Sequence, residues 1–497
     1  MTLLLPALLV VAAPPGAAMS DERELVFDDI QGGGLPLLFD AALALRYTTT
    51  AGAPRATLLP DPQTGRWRID SLLSPQPRAG TLSGVASFAV ELEASRELTL
   101  RALFDSGQLA AGSSLQPPLT GTLTSDGQPA LDTVTSGAFI REIAARIAWG
   151  SGSVELGRFH SRVADGLVYD EFGTGATIDM TLRPIGLETW RIELTTVAVG
   201  HTFDELESPS PLTTLRIERE LSFFESLHLF GSLFVDRNGI LADALESAVA
   251  EQIIISFGPT VEQGLLTQLF GTERPSHGRL AYVGIGGNVL PLDGLSVRGN
   301  AVVAAGSVTV EGSSRTFAFD LRSWAGTLDV SYGLTENIGI GGMAFALSGG
   351  RALLPFDARG LANEQHIPYR SFLAVAPYWT WTGLFFSGGL NQGLYPGRAT
   401  AAGVNGHGVT GGGPRFELST DDFMVELRGA YLHAITASLL GGSRRSYGIE
   451  IDVIIEWDIF SWGTLAVEID VLRPGNFFVS STPAFRAIGQ FYVHTGT

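Results

Sequence analysis

The chain has 497 residues, of which 45% are hydrophobic and only 17% are charged, and its formal net charge is −19. This negative charge argues against nucleic acid as a partner, because phosphate binding needs a basic patch. The sequence contains no cysteine, which excludes disulfides and thiolate metal sites.

The N-terminus has the pattern of a secretory signal peptide. An apolar run from Leu3 to Ala13 is followed by small residues at 16–18 and then by charges. We therefore predict a leader over residues 1–19; the alternative is a misassigned start or a buried apolar strand. Elsewhere, no segment has the about 18 uninterrupted apolar residues of a spanning helix, so a membrane protein would have to be a β-barrel.

Runs that alternate apolar and charged residues recur along the first half of the chain. Successive side chains of an extended strand point to opposite faces, so each run places apolar residues on one face and charges on the other. In the last of these runs Arg219 interrupts the apolar face. The runs are 65–70 (GRWRID), 139–149 (FIREIAARIAW), 176–182 (ATIDMTL), 190–194 (WRIEL) and 214–222 (TLRIERELS).

Several segments between the runs have other patterns. Ile240–Ile254 fits a helix, which would either shield the mouth of a barrel or fold inward as a constriction. Ser323–Gly326 (SWAG) and Ile459–Gly463 (IFSWG) are predicted as turns. Ala401–Gly413 is predicted as a flexible loop. Its glycines resemble a phosphate-binding loop only superficially, because the strand–loop–helix context and the following lysine are lacking.

The clearest alternation is in Tyr447–Ile459 (YGIEIDVIIEWDI). Its odd positions are apolar or aromatic, and four of its even positions are acids. Tyr447 and Trp457 would lie on one outward face, about 33 Å apart along the strand. A strand tilt of about 40° reduces this to about 25 Å along the membrane normal, which is the height of the apolar band between the aromatic girdles of an outer-membrane barrel.

These patterns predict an all-β fold, a transmembrane antiparallel up-and-down β-barrel of about 18 strands (range about 16 to 20) over residues 20–497, with long extracellular loops. The alternative is a soluble antiparallel sandwich, whose strands also alternate. Strand runs of about 9 to 13 residues favour the barrel, since soluble strands are most often about 5 to 6 residues long.

The charged faces of the strands would line a hydrated lumen. Such a lining selects solutes by charge, whereas a wall of internal ion pairs would only stabilise a closed lumen. The surplus of acids predicts a weak preference for cations. The predicted pore-lining residues are Arg66, Arg68, Arg101, Glu142, Arg146, Asp179, Arg191, Glu193, Arg216, Glu218, Glu220, Glu426, Arg428, Glu450, Asp452, Glu456, Asp458, Glu468 and Asp470.

Two stretches resemble the alginate-export and related outer-membrane porin families. In Glu155–Ile178 the matching positions are Gly157, Arg158, Asp165 and Gly166; in Ser446–Phe478 they are Gly448, Glu450, Pro474 and Gly475. The resemblance implies a single-chain barrel of about 18 strands whose loops narrow the lumen and which passes a polar solute. Family exporters of anionic polysaccharide have an Arg-rich lumen, whereas this predicted lining has more acid than base.

The sequence therefore predicts a channel in the cell outer membrane for passive passage of small polar solutes or an oligosaccharide. Its predicted partners are outer-membrane lipid, the solute and the barrel assembly machinery, with no nucleic acid and no cofactor. No catalytic residue or metal site is predicted, because the eight histidines are scattered and no HExxH or GxSxG motif is present. Two alternatives remain: a closed structural or adhesive barrel, and a barrel hydrolase acting on envelope lipids.

Overall fold

A computed structural model describes most of the chain after the predicted leader. The leader at residues 1–19 lies outside the described part. The described residues are 37–51, 56–60, 67–71, 81–105, 109–111, 139–183, 187–199, 209–222, 224–242, 244–245, 249, 276–311, 316–350, 356–357, 360–361, 366–377, 381–383, 399–437, 444–460, 462–478 and 483–494.

Most of this part is β-structure. In chain order the strands are β1 (Leu37–Ala51), β2 (Ala56–Pro60), β3 (Trp67–Ser71), β4 (Thr81–Glu93), β5 (Leu98–Asp105), β6 (Leu109–Ala111), β7 (Phe139–Trp149), β8 (Gly152–Val163), β9 (Tyr169–Leu182), β10 (Leu187–Val199), β11 (Ser210–Ser222), β12 (Glu225–Asp236), β13 (His277–Leu292), β14 (Leu295–Glu311), β15 (Thr316–Thr335), β16 (Ile338–Leu347), β17 (Phe356–Asp357), β18 (Gly360–Leu361), β19 (His366–Tyr369), β20 (Leu373–Ala374), β21 (Thr400–Ala401), β22 (Val409–Ser419), β23 (Phe423–His433), β24 (Ser446–Phe460), β25 (Gly463–Pro474) and β26 (Ala484–His494).

Eighteen of these strands form a closed ring: β1, β4, β5, β7 to β16 and β22 to β26. Each is antiparallel to both neighbours in the ring, and consecutive wall strands are adjacent. The ring closes where β1 pairs with β26, from Ala42 opposite His494 to Ala51 opposite Phe485. Closure leaves no unpaired edge, as a sheet in lipid requires. The predicted antiparallel barrel of about 18 strands is confirmed.

The two ends of the barrel differ in their connections. At the end where β1 begins and β26 finishes, consecutive strands are joined by two to four residues, for example at 293–294 and 461–462. We call this the turn end. The opposite end, which we call the loop end, includes the long connections 52–80, 106–138, 237–276 and 348–408. Short turns at one end and long loops at the other are typical of outer-membrane barrels.

The outward face of the wall is apolar. Ile143, Leu229 and Val303 are 52%, 58% and 59% exposed, whereas residues of the opposite face, such as Phe230 and Val302, are buried. A continuous apolar band around a closed barrel would be unfavourable in water, and it matches the hydrocarbon core of a bilayer. The wall is therefore a transmembrane barrel.

The predicted outward orientation of Tyr447 is wrong. Gly448 has φ 136°, and the pairing of β23 with β24 shifts register between Leu432 and His433. Such an irregularity interrupts the alternation of side chains. Residues on its two sides that share odd numbering therefore need not point to the same face of the sheet. Tyr447 is fully buried inside the barrel, and its hydroxyl donates to the carbonyl of Gly408.

Two predicted breaks in the sheet are also wrong. Ser323–Gly326 is the middle of β15, which pairs continuously with β14 from Glu311 opposite Thr316 to Leu295 opposite Tyr332. Residues 409–413 of the predicted flexible loop begin the wall strand β22. Glycines are poor strand formers in isolation, but ladder hydrogen bonds on both sides hold them extended here. The turn predicted over Ile459–Gly463 is confirmed between β24 and β25.

The helix predicted from Ile240 begins where expected. Residues 240–242, 244, 245 and 249 are helical, and its remaining residues lie outside the described part. Asp236 caps its first turn, since its carboxylate accepts from the backbone N–H groups of Ile240 and Leu241. Leu241 and Leu245 are fully buried, so the segment folds inward against the wall. Among the described residues, no helix is long and apolar enough to cross a bilayer.

Placing a charge on the middle of the outward face should destabilise the inserted barrel. Leu328 lies on β15 four residues from both Trp324 and Tyr332, and all three side chains are exposed outward. We expect Leu328→Arg to lower the free energy of unfolding in lipid by about 2–4 kcal/mol, and Leu334→Arg, beyond Tyr332 at the turn end, to cost about 0–1 kcal/mol. Urea unfolding in bilayers measures both values, and equal costs would contradict the assigned band.

Candidate functional site

The hairpin of β8 and β9 leaves the wall and enters the lumen. β8 pairs with β7 only as far as Arg158, and β9 pairs with β10 only as far as Thr174. Between these points residues 159–173 pair with each other and, among the described strands, with no neighbouring wall strand. Gly157 has φ 131°, and a side chain there would collide with the carbonyl of Ile143. We call residues 159–173 the inward hairpin.

The tip of the inward hairpin is attached to β14, five strands along the ring from β9. Asp165 lies in the connection between β8 and β9, outside the wall strands, and its Oδ2 accepts from Arg298 Nε and Asn300 Nδ2 of β14, both at 2.9 Å. Burial raises the pKa of Asp165. The charge and hydrogen bond of Arg298, the charge of Arg162 and the hydrogen bond of Asn300 lower the pKa by more than burial raises it. The pKa of this carboxyl is therefore well below its usual range, and the tip remains ionised.

The two faces of the inward hairpin have different chemistry. On one face, Asp170 lies between His160 and Arg162, with Oδ1 2.6 Å from His160 Nε2 and Oδ2 3.0 Å from Arg162 Nε. On the other face, Phe159 and Tyr169 are buried. The hairpin therefore presents a charged surface on one side and joins an apolar core on the other.

That apolar core lies inside the barrel toward the loop end. Besides side chains of the inner wall, it includes the buried face of the inward hairpin, the helical residues 241, 242, 244, 245 and 249, and residues from 369–376 and 399–404 of the connection between β16 and β22. Tyr282 of β13 donates from its hydroxyl to the carbonyl of Leu373, at 2.9 Å, and its ring lies edge-on to Phe372. We call this core the apolar plug.

A small polar cavity separates the inward hairpin from β10, β11 and β12. Its volume is about 40 Å³, and Arg162, Asp165, Glu193, Arg216 and His228 are among its lining residues. A cavity of this size holds a few water molecules and no sugar. The side chains around the tip of the hairpin therefore leave a narrow wet gap.

The opposite side of the lumen is rich in buried acids. Cross-strand pairing places Arg428, Asp452, Asp470 and Arg486 in one row across β23, β24, β25 and β26. We call this row, with its neighbours Glu426, Glu450 and Glu468, the acidic sector; all seven side chains are at most 7% exposed.

The two arginines of the acidic sector hold its carboxylates. Arg486 donates from Nε to Asp470, at 2.6 Å, and from Nη2 to Glu468, at 2.8 Å. Arg428 donates to Glu426. Five acids share two arginines, so the sector has a surplus of formal negative charge.

Residues Trp381–Gly383 of the β16–β22 connection cover the acidic sector. The Gly383 N–H donates to Asp452 Oδ2 at 3.2 Å, and the ring of Trp381 stacks on Phe345 of β16 at 4.7 Å between centroids. A side chain at position 383 would collide with the carboxylate of Asp470. The absence of a side chain at this position therefore lets the loop lie directly on the acids.

Other parts of the inner wall carry balanced ion pairs. Arg191 of β10 donates from Nε and Nη2 to both oxygens of Asp179, at 2.6 and 2.7 Å. Arg101 pairs with Glu91 at 2.7 Å, and the charges alternate between neighbouring strands. The inner wall thus combines a balanced side with an acidic side, which creates an electric field across the lumen.

Most of the predicted lining residues lie on the inward side of wall strands. Arg146, Glu220 and Asp458 are exposed near the turn end, and the acids and arginine of the acidic sector are buried. The inward-facing set is Arg101, Glu142, Arg146, Asp179, Arg191, Glu193, Arg216, Glu218, Glu220, Glu426, Arg428, Glu450, Asp452, Glu456, Asp458, Glu468 and Asp470.

Arg68 does not lie on a wall strand, so its place in the lining stays a prediction. β3, which contains it, pairs with β2 in a separate two-stranded sheet and is no part of the wall. Arg66 lies outside the described residues. Alternation alone cannot distinguish a wall strand from a hairpin within a loop, because both have a period of two residues.

Several inward charges were not identified from the sequence. Arg415 of β22 donates to both oxygens of Asp329 on β15, across β16, at 3.1 and 3.2 Å. Arg486 was missed although Arg486, Ile488 and Gln490 alternate on β26. That alternation could have identified Arg486 as an inward residue. The contact of Asp165 with Arg298 depends on how the hairpin folds into the lumen, and no sequence pattern predicts it.

Comparisons with known proteins give distant structural likenesses only. No family model matches the sequence, and no curated protein matches it. The outer membrane protein opdK from Pseudomonas aeruginosa is 9% identical, with 93% of this chain and 99% of that chain covered at a TM-score of 0.48. OprD from Pseudomonas aeruginosa is 10% identical, with 95% and 98% covered at 0.46. OccAB4 from Acinetobacter baumannii is 10% identical, with 92% and 98% covered at 0.46. Similarity at this level carries no functional argument, and the fold assignment depends on the strand pairings.

Proposed function

We propose that the chain is a channel of the cell outer membrane that passes small polar solutes by diffusion through a charged, hydrated lumen. The observation that carries the proposal is the closed ring of 18 strands, apolar outside and lined by charges inside. Charged side chains inside a closed, dry lumen would have a large desolvation cost. A water-filled pore keeps the charged side chains near the turn end hydrated.

The inward hairpin is the proposed constriction. It crosses the lumen from β8 to β14, where Asp165 binds Arg298, and Arg162 and Arg216 line the narrow gap beside it. A solute that passes this point meets Arg162 and Arg216 together with the acids Asp165 and Glu193. Such opposed charges orient a polar solute and reject one of poor fit.

Planar-bilayer recording tests the proposal directly. We expect the purified, folded protein to produce unitary current steps after insertion. Membrane insertion is monitored separately by resistance of the barrel to added protease and by its heat-modifiable migration on gels. Inserted, folded protein that gives no current would overturn the proposal.

The exposed acids at the turn end should give the channel a weak preference for cations. We expect Glu220→Gln with Asp458→Asn to move the reversal potential in a salt gradient toward that of a non-selective pore, because both side chains lie exposed on the inner face. Arg219→Gln is the matched control, since Arg219 lies on the outward face over the ring of Trp190. A reversal potential unchanged in the double variant, or anion preference in the parent, would contradict the prediction.

A closed structural barrel is the second candidate, and the apolar plug is the observation that favours it. The plug packs buried apolar side chains inside the loop-end part of the barrel, and the polar cavity beside the hairpin has room for water only. Under the channel proposal, the connection between β16 and β22 must move for passage. If a folded, inserted variant without the inward hairpin also gives no current, the closed structural barrel is supported.

The narrower proposals follow from the resemblance noted above. Its first stretch forms the inward hairpin and its second forms β24 and β25, so both belong to the lumen, and an oligosaccharide is one class of solute to test. The buried surplus of acid in the acidic sector disfavours an anionic polysaccharide. The proposal includes no catalytic step, and it retains a secreted precursor with a leader over residues 1–19 that is inserted by the barrel assembly machinery.

A further inference from the structure

The outward face of β13, β14 and β15 changes character above the apolar band. Val283, Val303 and Trp324 lie in one row of the sheet, and their side chains point outward. Trp324 marks the upper edge of the band. The next two outward rows toward the loop end are Ala281, Ala305 and Arg322, followed by Arg279, Ser307 and Asp320.

These rows place cations at the level of the lipid headgroups. Arg322 is two residues above Trp324, which is about 5 Å along the membrane normal for a tilted strand, and Arg279 is about 10 Å above it. The headgroup region begins where the apolar band ends and is several ångströms thick. Both guanidinium groups therefore lie where headgroup phosphates are found.

Two histidines lie beside the two arginines. His277 begins β13 one row above Arg279, and His366 of β19 is adjacent to β15. We call Arg279, Arg322, His277 and His366 the upper basic patch; all four are exposed. Among the described residues, no acid pairs with either arginine, and Asp320 is 3.4 Å from His366. The two arginines against the one acid Asp320 leave a local surplus of positive charge, in a chain whose net charge is −19.

We propose that the upper basic patch binds the phosphate groups of anionic lipids in the leaflet at the loop end. Arginine guanidinium binds phosphate through paired N–H donors, and its weak hydration suits an interface. The patch is continuous with the apolar band, so one lipid can contact the band with its acyl chains and the arginines with its headgroup. This inference depends on the barrel lying in a membrane and does not depend on conduction.

Lipid retention by the purified barrel tests the inference. The full-length protein is folded in neutral detergent, exposed to lipid A, to dephosphorylated lipid A and to phosphatidylcholine, and analysed by native mass spectrometry. The test variant is Arg279→Gln with Arg322→Gln. The matched control is Arg219→Gln, which removes an exposed outward arginine at the turn end.

We expect the parent and the control to retain lipid A several-fold more than either other lipid, and the double variant to lose most of that preference. Equal retention of lipid A by the double variant and the parent would overturn the inference, as would equal retention of the phosphorylated and dephosphorylated lipids by the parent. Heat-modifiable migration confirms that each variant is folded. Because unitary current is recorded separately, failure of lipid binding is distinguishable from failure of the channel proposal.

Discussion

Arg486→Ala is expected to lower the free energy of unfolding of the barrel by about 3–5 kcal/mol, because it leaves buried carboxylates without their counter-charge. Arg486 is 3% exposed, and it is the donor to both Asp470 and Glu468. Asp470 also lies directly opposite Asp452, so the loss of Arg486 leaves two neighbouring acids in a region that water reaches poorly.

Urea unfolding in lipid vesicles measures this effect. The matched control is Arg101→Ala, whose partner Glu91 is likewise on a neighbouring strand but whose side chain is partly exposed. Its expected cost is about 0–1 kcal/mol, as for a solvated ion pair. Adding Asp470→Asn and Glu468→Gln to Arg486→Ala should recover part of the loss. Equal costs for Arg486→Ala and Arg101→Ala, or no recovery, would show that the acidic sector is hydrated.

Removing the inward hairpin is expected to increase the unitary conductance several-fold. Arg158 is paired with Thr174 across the hairpin, so an Asn-Gly turn can replace residues 159–173 and join β8 to β9 at the height where they leave the wall. The replacement deletes the attachment of Asp165 to Arg298 and the hairpin's share of the apolar plug. A wider and wetter lumen follows, and conductance rises with the open cross-section.

Two point variants refine this prediction. Asp165→Ala removes the tip contact while keeping the hairpin, so it should give a smaller increase or more frequent transitions between current levels. Asp320→Ala, on the outer face, should leave the conductance unchanged. If the excised variant inserts and folds but conducts like the parent, the inward hairpin is not the constriction.

The period of two residues was sufficient to predict the wall. It gave the barrel class, the approximate strand number and the inward side of segments such as Phe139–Trp149, because in lipid the outward side of every wall strand must be apolar. The same pattern identified Glu450 and Asp452 as inward residues. The contact of Gly383 with Asp452 had no sequence signal, since it depends on a loop that meets this acid from far along the chain.

Local irregularities account for most of the errors. The bulge at Gly448 turned Tyr447 inward, and the glycines of Val409–Ser419 obscured a wall strand that is held by its neighbours. The inward hairpin has the same alternation as the wall, and only its pairing shows that it leaves the wall. A pattern read along one strand reports two faces, but it does not report which strands lie beside it.

The central claim is that one face of these strands contacts acyl chains while the other contacts water, and cysteine labelling along β24 tests it most directly. The chain has no cysteine of its own, so single substitutions report without background. In vesicles, Glu456→Cys and Asp458→Cys should react with a membrane-impermeant thiol reagent, whereas Ile451→Cys and Val453→Cys should react only with a lipid-soluble one. Rapid reaction of Ile451→Cys and Val453→Cys with the impermeant reagent would contradict the account.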